Sequence, residues 1–224
     1  MVHIMSDNIV VLDLDDTLYL ERDYVRSGFQ AADAWAHENF GWLGFGNYCW
    51  ALFQAGIRGN TFELAIARFS GHEDVRSVTS LIEIYRSHFP EITLEPDAKT
   101  FFSNASQSEV PIALLTGGLP STQALKVQAL GIQQAFECIR YSGQKGPSFD
   151  KPHQWAFREM QRVLGLASGN LTYIGDNPDR DLAGPLELGW RVIRIRRHGS
   201  IHEGKPSPTH VREIASLAAI ADIF

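Results

Sequence analysis

Cysteine is almost missing from this 224-residue chain: Cys49 and Cys138 are the only two, and they lie far apart. That scarcity excludes a disulfide framework and a thiolate metal site, and it suits a reducing cytoplasm, the compartment expected here. Positive charge is short as well, with 20 lysines and arginines against 26 acids and a formal net charge of -6. Nucleic-acid binders carry a basic face that releases counterions from the phosphate backbone, so no nucleic-acid partner is expected. A local basic pocket for a single phosphate is still allowed, because focusing depends on where charges sit and not on their sum. Long apolar runs are also lacking. The stretch Ile9 to Leu14 is too short for a signal core or a membrane span, and Asp13, Asp15 and Asp16 interrupt its continuation, so no membrane partner is expected.

Several catalytic signatures are absent too. Gly44-Phe45-Gly46 lacks the third glycine and the preceding strand of a dinucleotide fingerprint. No Gly-x-Ser-x-Gly elbow and no phosphate-loop lysine motif occurs, which removes serine hydrolases and nucleoside-triphosphatases. None of the eight histidines has metal-binding helical spacing; His198 and His202 are four apart but lie among glycine and proline, so zinc is not expected. The length fits one sizeable α/β domain or a core carrying an insert, and 44% hydrophobic residues suffice for a normal core without covalent staples.

What is present is a set of short aliphatic runs. Ile9-Val10-Val11-Leu12 reads as a strand buried on both faces of a parallel sheet, and similar runs recur at Val110 to Leu115, Leu171 to Ile174 and Arg191 to Ile195. Helical stretches separate them: one opens at Pro120-Ser121 and closes at Gly131, a second opens at Pro152 and closes at Gly165, and a third begins near Asn177-Pro178 and is cut short by Gly184-Pro185. Strands alternating with helices imply a doubly wound, Rossmann-like parallel sheet. Residues 20–95 differ. Apolar residues there recur at helical spacing, as in Tyr24, Phe29, Ala32, Ala36 and Phe40, and no strand-like run appears. The expected organisation is a core of residues 1–19 and 96–224 with an all-helical insert of 20–95, the return marked by Glu95-Pro96.

Ligands of parallel sheets bind beyond the carboxyl ends of the strands. Here those ends carry Asp13-Leu14-Asp15-Asp16-Thr17, then Thr116-Gly117-Gly118, then Gly175-Asp176-Asn177-Pro178-Asp179-Arg180-Asp181. Clustered carboxylates repel one another unless a cation compensates, and hard oxygen ligands favour Mg2+. Such a metal also cancels the repulsion between an anionic nucleophile and an anionic phosphoryl group.

In type, order and strand context these motifs resemble the haloacid dehalogenase-like superfamily, specifically its phosphatases with a helical cap inserted after the first motif. The resemblance spans nearly the whole chain. It implies that Asp13 is a nucleophile attacking phosphorus, that Asp15 is the acid/base, and that Asp13, Asp15 and Asp176 hold the metal, with Asp181 acting on it through water or a neighbouring ligand. Thr116, Gly117 and Lys151, the last in Phe149-Asp150-Lys151-Pro152, correspond to the groups that bind the transferring phosphoryl group. Family members that cleave carbon–halogen bonds lack the second aspartate, so Asp15 favours phosphate chemistry.

The expected activity is therefore Mg2+-dependent hydrolysis of a small phosphorylated metabolite, a sugar phosphate or nucleoside monophosphate, through an aspartyl-phosphate, by a monomer or homodimer. The alternatives are a phosphomutase of the same superfamily and a catalytically silent protein that binds a phosphorylated ligand. Asp16 and Asp179 read as turn or surface residues, and Lys145 as a solvated loop lysine. In the insert, Arg22, Arg26, Arg58, Trp42 and Trp50 each read singly as core or solvated side chains.

Overall fold

The computed structural model describes residues 8–70 and 75–223. Its sheet is built from β1 (Ile9–Leu12), β2 (Ile112–Thr116), β3 (Cys138–Tyr141), β4 (Leu171–Gly175), β5 (Arg191–Ile195) and β6 (Arg212–Ile214). All neighbours pair in parallel, in the order β3-β2-β1-β4-β5-β6. The chain thus winds outward from β1 in one direction through β2 and β3, then in the other through β4 to β6. β1 lies at the point where the winding reverses, which is where such sheets leave a crevice for ligand. The residues of β1, β2 and β4 are buried throughout, as expected for strands covered on both faces.

The chain divides into two compact units, Met1–Glu21 with Thr93–Phe224 and Arg22–Ile92. The second is helical, comprising nearly all of α1 (Glu21–Phe40) together with α2 (Phe45–Gln54), α3 (Thr61–Ser70) and α4 (Val75–Ser87). It has its own apolar cluster, in which Phe29, Phe45, Phe62 and Leu81 are buried beside Ala32, Ala36 and Ala65. In the sheet unit, α5 (Pro96–Gln107) follows an extended Glu95, and α6 (Pro120–Leu130) and α7 (Gln154–Leu164) both end on glycines in the left-handed region, Gly131 at φ 68° and Gly165 at φ 71°. Among the described residues, no helix is long and apolar enough to cross a membrane.

Several sequence expectations shift. β2 starts at Ile112 and not at Val110, because the Val110 N–H still closes α5 on the Ala105 carbonyl (3.0 Å). α7 starts at Gln154 and not at Pro152: His153 is its N-cap, the ring Nδ1 accepting the Trp155 N–H at 3.0 Å. No helix runs on from Asn177. The Arg180 and Asp181 amides close a single turn on the Asn177 carbonyl, and the five-residue α8 (Ala183–Glu187) begins only afterwards. Gly184 and Pro185 lie inside that helix. Pro185 falls in its first turn, where a missing N–H costs nothing, and a Cβ on Gly184 would sit 2.5 Å from the Phe157 ring. Sequence reading also missed β3 and β6, the two edge strands.

Phe157 is fully buried beneath the sheet, with its ring edge-to-face against Tyr173 (5.3 Å) and Trp190 (5.9 Å). Removing it leaves a cavity among aromatic walls that cannot collapse. Phe157→Ala should therefore cost about 3–5 kcal/mol in urea unfolding; a loss below about 1 kcal/mol would show that α7 is not packed as described.

Candidate active site

β1 delivers Asp13 to its carboxyl end, where the Asp13 N–H still pairs with the Ile174 carbonyl at 2.8 Å. Asp13 is therefore held by the sheet itself and not by a mobile loop. Lys151, from the turn before α7, donates from Nζ to Asp13 Oδ1 at 2.8 Å, to Asp181 Oδ1 at 2.7 Å and to the Tyr173 hydroxyl at 2.9 Å. All three donor positions of the ammonium are thus used, and the lysine is buried. Asp181 reaches back with its other oxygen to accept the Asn177 N–H at 2.9 Å, which fixes the loop after β4.

Carboxylate oxygens of Asp13, Asp176 and Asp181 lie within 4.8 Å of one another, and all three residues are buried. Three carboxylates against one ammonium leave two uncompensated negative charges. The consequence is visible in their proton affinities. Burial, reinforced by Asp181 and Asp13, pushes the Asp176 carboxyl up to about 10. Burial also raises Asp13 to about 7, although Lys151 opposes it. Burial works against the charge of Lys151, but Asp13 and Asp181 outweigh it and hold the ammonium above its usual range. Asp176 Oδ2 is buried with no hydrogen-bond partner. A hard-oxygen pocket short of two positive charges, with an orphaned carboxylate oxygen, fits a divalent cation.

Asp15 is placed differently from the sequence expectation. Among the described residues its side chain is not part of the acidic grouping; its oxygens are taken by Lys126 Nζ (2.7 Å), Gln123 Nε2 (2.8 Å) and the Tyr19 hydroxyl. Burial alone would raise it, yet Lys126 and these hydrogen bonds hold it below the ordinary carboxylate range. A carboxylate so engaged has little left for a metal, whereas Asp181, expected to act at one remove, belongs to the grouping.

Thr116 ends β2, fully buried, and its Oγ1 has no partner. Gly117 follows, at a spot where a Cβ would meet Arg180 Nη2 at 2.9 Å and Asp150 Oδ1 at 3.2 Å, so a side chain there would press on the Arg180–Asp150 pair. Asp150 ties them together: it accepts the Gly118 N–H (3.1 Å), the Lys151 N–H (2.8 Å), Arg180 Nη2 (2.6 Å) and the Ser142 hydroxyl.

Asp16 lies in a turn, as read from the sequence, but it is buried and not superficial, and it stitches two loops by accepting the Glu21 N–H (2.8 Å) and the Ile201 N–H (2.7 Å). Asp179 is exposed and pairs with Lys205, while Lys145 Nζ lies 4.0 Å over the Phe149 ring, outside the site. Sequence reasoning missed Tyr19, Gln123, Lys126, Asp150 and Tyr173. It also missed Arg194, a fully buried residue of β5 that donates to the carbonyls of Asp176 (2.9 Å), His202 (2.7 Å) and Lys205 (2.7 Å). The spacing of Gln123 and Lys126 just after Thr-Gly-Gly, on one helix face, was the available clue.

A parallel α/β sheet whose switch point presents buried carboxylates and a lysine places a ligand site at the carboxyl ends of the strands. The haloacid dehalogenase-like hydrolase model matches residues 8–189, and the chain belongs to that family. It is 28% identical over 159 residues to phosphoserine phosphatase of Thermus thermophilus, covering 70% of this chain but 62% of that protein, less than two thirds of its length. It is 25% identical over 228 residues to glyceraldehyde 3-phosphate phosphatase of Methanocaldococcus jannaschii, covering 96% of this chain and 95% of the relative. Among solved structures, the HAD-hydrolase YfnB from Bacillus subtilis bound to magnesium superposes with a TM-score of 0.67 at 18% identity, over 96% of this chain and 97% of that one, a likeness of fold.

The raised carboxyls make stability depend on pH. Asp13 and Asp176 bind protons more tightly folded than unfolded, so the stability they contribute is full below their unfolded value of 3.8 and is lost as pH rises through about 7 and about 10. A bound divalent cation removes that loss. The gain in melting temperature on adding Mg2+ should accordingly grow between about pH 6 and pH 9, and vanish in Asp176→Asn. A gain that is flat with pH, or that survives the substitution, contradicts this site.

Proposed function

We propose that the protein is a Mg2+-dependent phosphatase that hydrolyses a small phosphorylated metabolite through a covalent phosphate on Asp13. The observation that carries this reading is the buried grouping of Asp13, Asp176 and Asp181, with Lys151 bonded to the first and the last, at the sheet's switch point. Asp13 and Asp176, with Asp181 beside them, are the residues that would hold Mg2+, which would supply positive charge to an anionic nucleophile and phosphoryl group.

In the first step an oxygen of Asp13 bonds to phosphorus as the ester P–O bond breaks, and Asp15 gives its proton to the departing oxygen. Lys126 keeps Asp15 ionised in the free protein, but the negative charge of an incoming phosphate raises its proton affinity, and the carboxylate takes up, from solvent or from a monoanionic phosphate ester, the proton that it then donates. The unpartnered Thr116 hydroxyl suits a phosphoryl oxygen, and the Lys151 ammonium, its donors engaged by Asp13, Asp181 and Tyr173, acts on the phosphoryl group through its charge. In the second step Asp15, now a carboxylate, takes a proton from water, whose oxygen attacks phosphorus. The Asp13–phosphorus bond breaks and inorganic phosphate leaves.

The helical unit is assigned the family's cap role. Relatives named for phosphoserine, glyceraldehyde 3-phosphate and ribulose-1,5-bisphosphate point to phosphate esters of small metabolites as the substrate class. A panel of sugar phosphates, amino-acid phosphates and nucleoside monophosphates, read by phosphate release with Mg2+, tests it. Asp13→Asn should lower turnover of p-nitrophenyl phosphate by at least about a thousandfold while the fold is kept, because an amide cannot replace the attacking carboxylate. Undiminished turnover in that variant removes the covalent mechanism. Asp15→Asn should let the phosphoenzyme accumulate, and an unchanged second step would take Asp15 out of its role.

A further inference from the structure

Helix α6 carries two polar side chains that a surface helix would leave in water. Gln123 and Lys126, three residues apart and so on one face, are 4% and 3% exposed. Lys126 Nζ lies 2.7 Å from Asp15 Oδ1 and Gln123 Nε2 2.8 Å from Asp15 Oδ2, while the Tyr19 hydroxyl also donates to Oδ1. The same Gln123 nitrogen donates to the Gly117 carbonyl at 2.5 Å. We infer that Gln123 and Lys126 are positioning residues that set the orientation of the Asp15 carboxylate relative to the Thr116-Gly117 loop, and so control the acid and base steps. The inference rests on the phosphatase reading of Asp13 and Asp15.

Three features carry it. The terminal torsion of an aspartate is broad and selects no single orientation, so the plane of the Asp15 carboxylate is dictated by what donates to its oxygens. Here one helix supplies a donor to each oxygen. Both neighbours of the Gln123 nitrogen are acceptors, Asp15 Oδ2 and the Gly117 carbonyl, so the amide cannot be turned over without setting oxygen against oxygen. The orientation that results leaves Gln123 Oε1 buried without a partner. A glutamine kept for stability alone would not leave its carbonyl unsatisfied, since a buried orphan acceptor is destabilising. Lys126 compensates the charge of the buried Asp15 and so has a structural reason as well. Gln123 sits where stability gives it little reason to be, and where the acid/base gives it one.

The step affected is the second one most. Departure of p-nitrophenolate needs little proton donation, so phosphorylation of Asp13 by p-nitrophenyl phosphate tolerates a misaligned Asp15. Hydrolysis of the phosphoenzyme requires Asp15 to take a proton from the attacking water and does not. In rapid-mixing experiments with Mg2+ and p-nitrophenyl phosphate, Gln123→Leu should keep the first-turnover release of nitrophenolate within about threefold while the steady rate falls about tenfold or more, giving a burst close to one per active site. Lys126→Met should give a larger burst ratio, and both variants should lose more activity on an alkyl phosphate, whose leaving oxygen needs the proton, than on the aryl ester. Should Lys126→Met fail to fold, Gln123→Leu decides alone. Parallel losses in both steps without a burst, or unchanged kinetics, overturn the inference and leave the two residues structural. Asp13→Asn run alongside separates the failures: if it still releases nitrophenolate, the phosphatase reading fails; if it is inert and the α6 variants show no burst, only this inference does.

Discussion

The rest of the site follows from burying three carboxylates around a single ammonium. Ionised groups taken out of water are tolerated only when paired, and Lys151 can neutralise one charge while three are present. The surplus is expressed as protons held too tightly, at Asp176 above all. A protein stabilising only itself would replace such a group with apolar residues. Retaining it means that the compensating charge is expected from outside, and the chemistry of the donor set, all hard oxygens, selects the kind of ion that brings it.

Around that deficit the loops are tied so that none can relax away from it. Asp150 holds the loops that carry Gly118, Lys151 and Arg180 through separate bonds, and Arg194 clamps the Asp176 carbonyl from within β5. Asp16 joins the end of the first loop to the Ile201 amide. Arg194 and Asp16 are buried and Asp150 is half-buried, and each bonds backbone groups of a neighbouring loop. Preorganisation of this kind is what lets electrostatic stabilisation act without reorganisation at the moment of reaction.

The central strand β1 was legible because burial on both faces writes an uninterrupted aliphatic run, Ile9 to Leu12, and β5 because Val192, Ile193 and Ile195 keep an apolar majority between its arginines. The edges were not, since Cys138–Tyr141 and Arg212–Ile214 are covered on fewer sides and carry arginines and a glutamate that break the pattern. Pro120 marked a helix start because it stands at the first helical position, whereas Pro152 belongs to the turn that presents Lys151. In the site, strand context pointed to Asp13, Thr116 and Asp176, and a lysine before proline to Lys151. What sequence could not supply was the partner of each group. Asp15 and Asp181 look alike as residues, but the first faces Lys126, Gln123 and Tyr19 and the second faces Lys151, and only long-range folding decides between those surroundings.

The direct test is to locate the cation. A crystal grown with Mn2+ in place of Mg2+, examined by anomalous scattering, should show one strong peak within ligand distance of carboxylate oxygens of both Asp13 and Asp176. A fully occupied ion elsewhere, or no ion at these carboxylates at millimolar Mn2+ and neutral pH, would contradict the account.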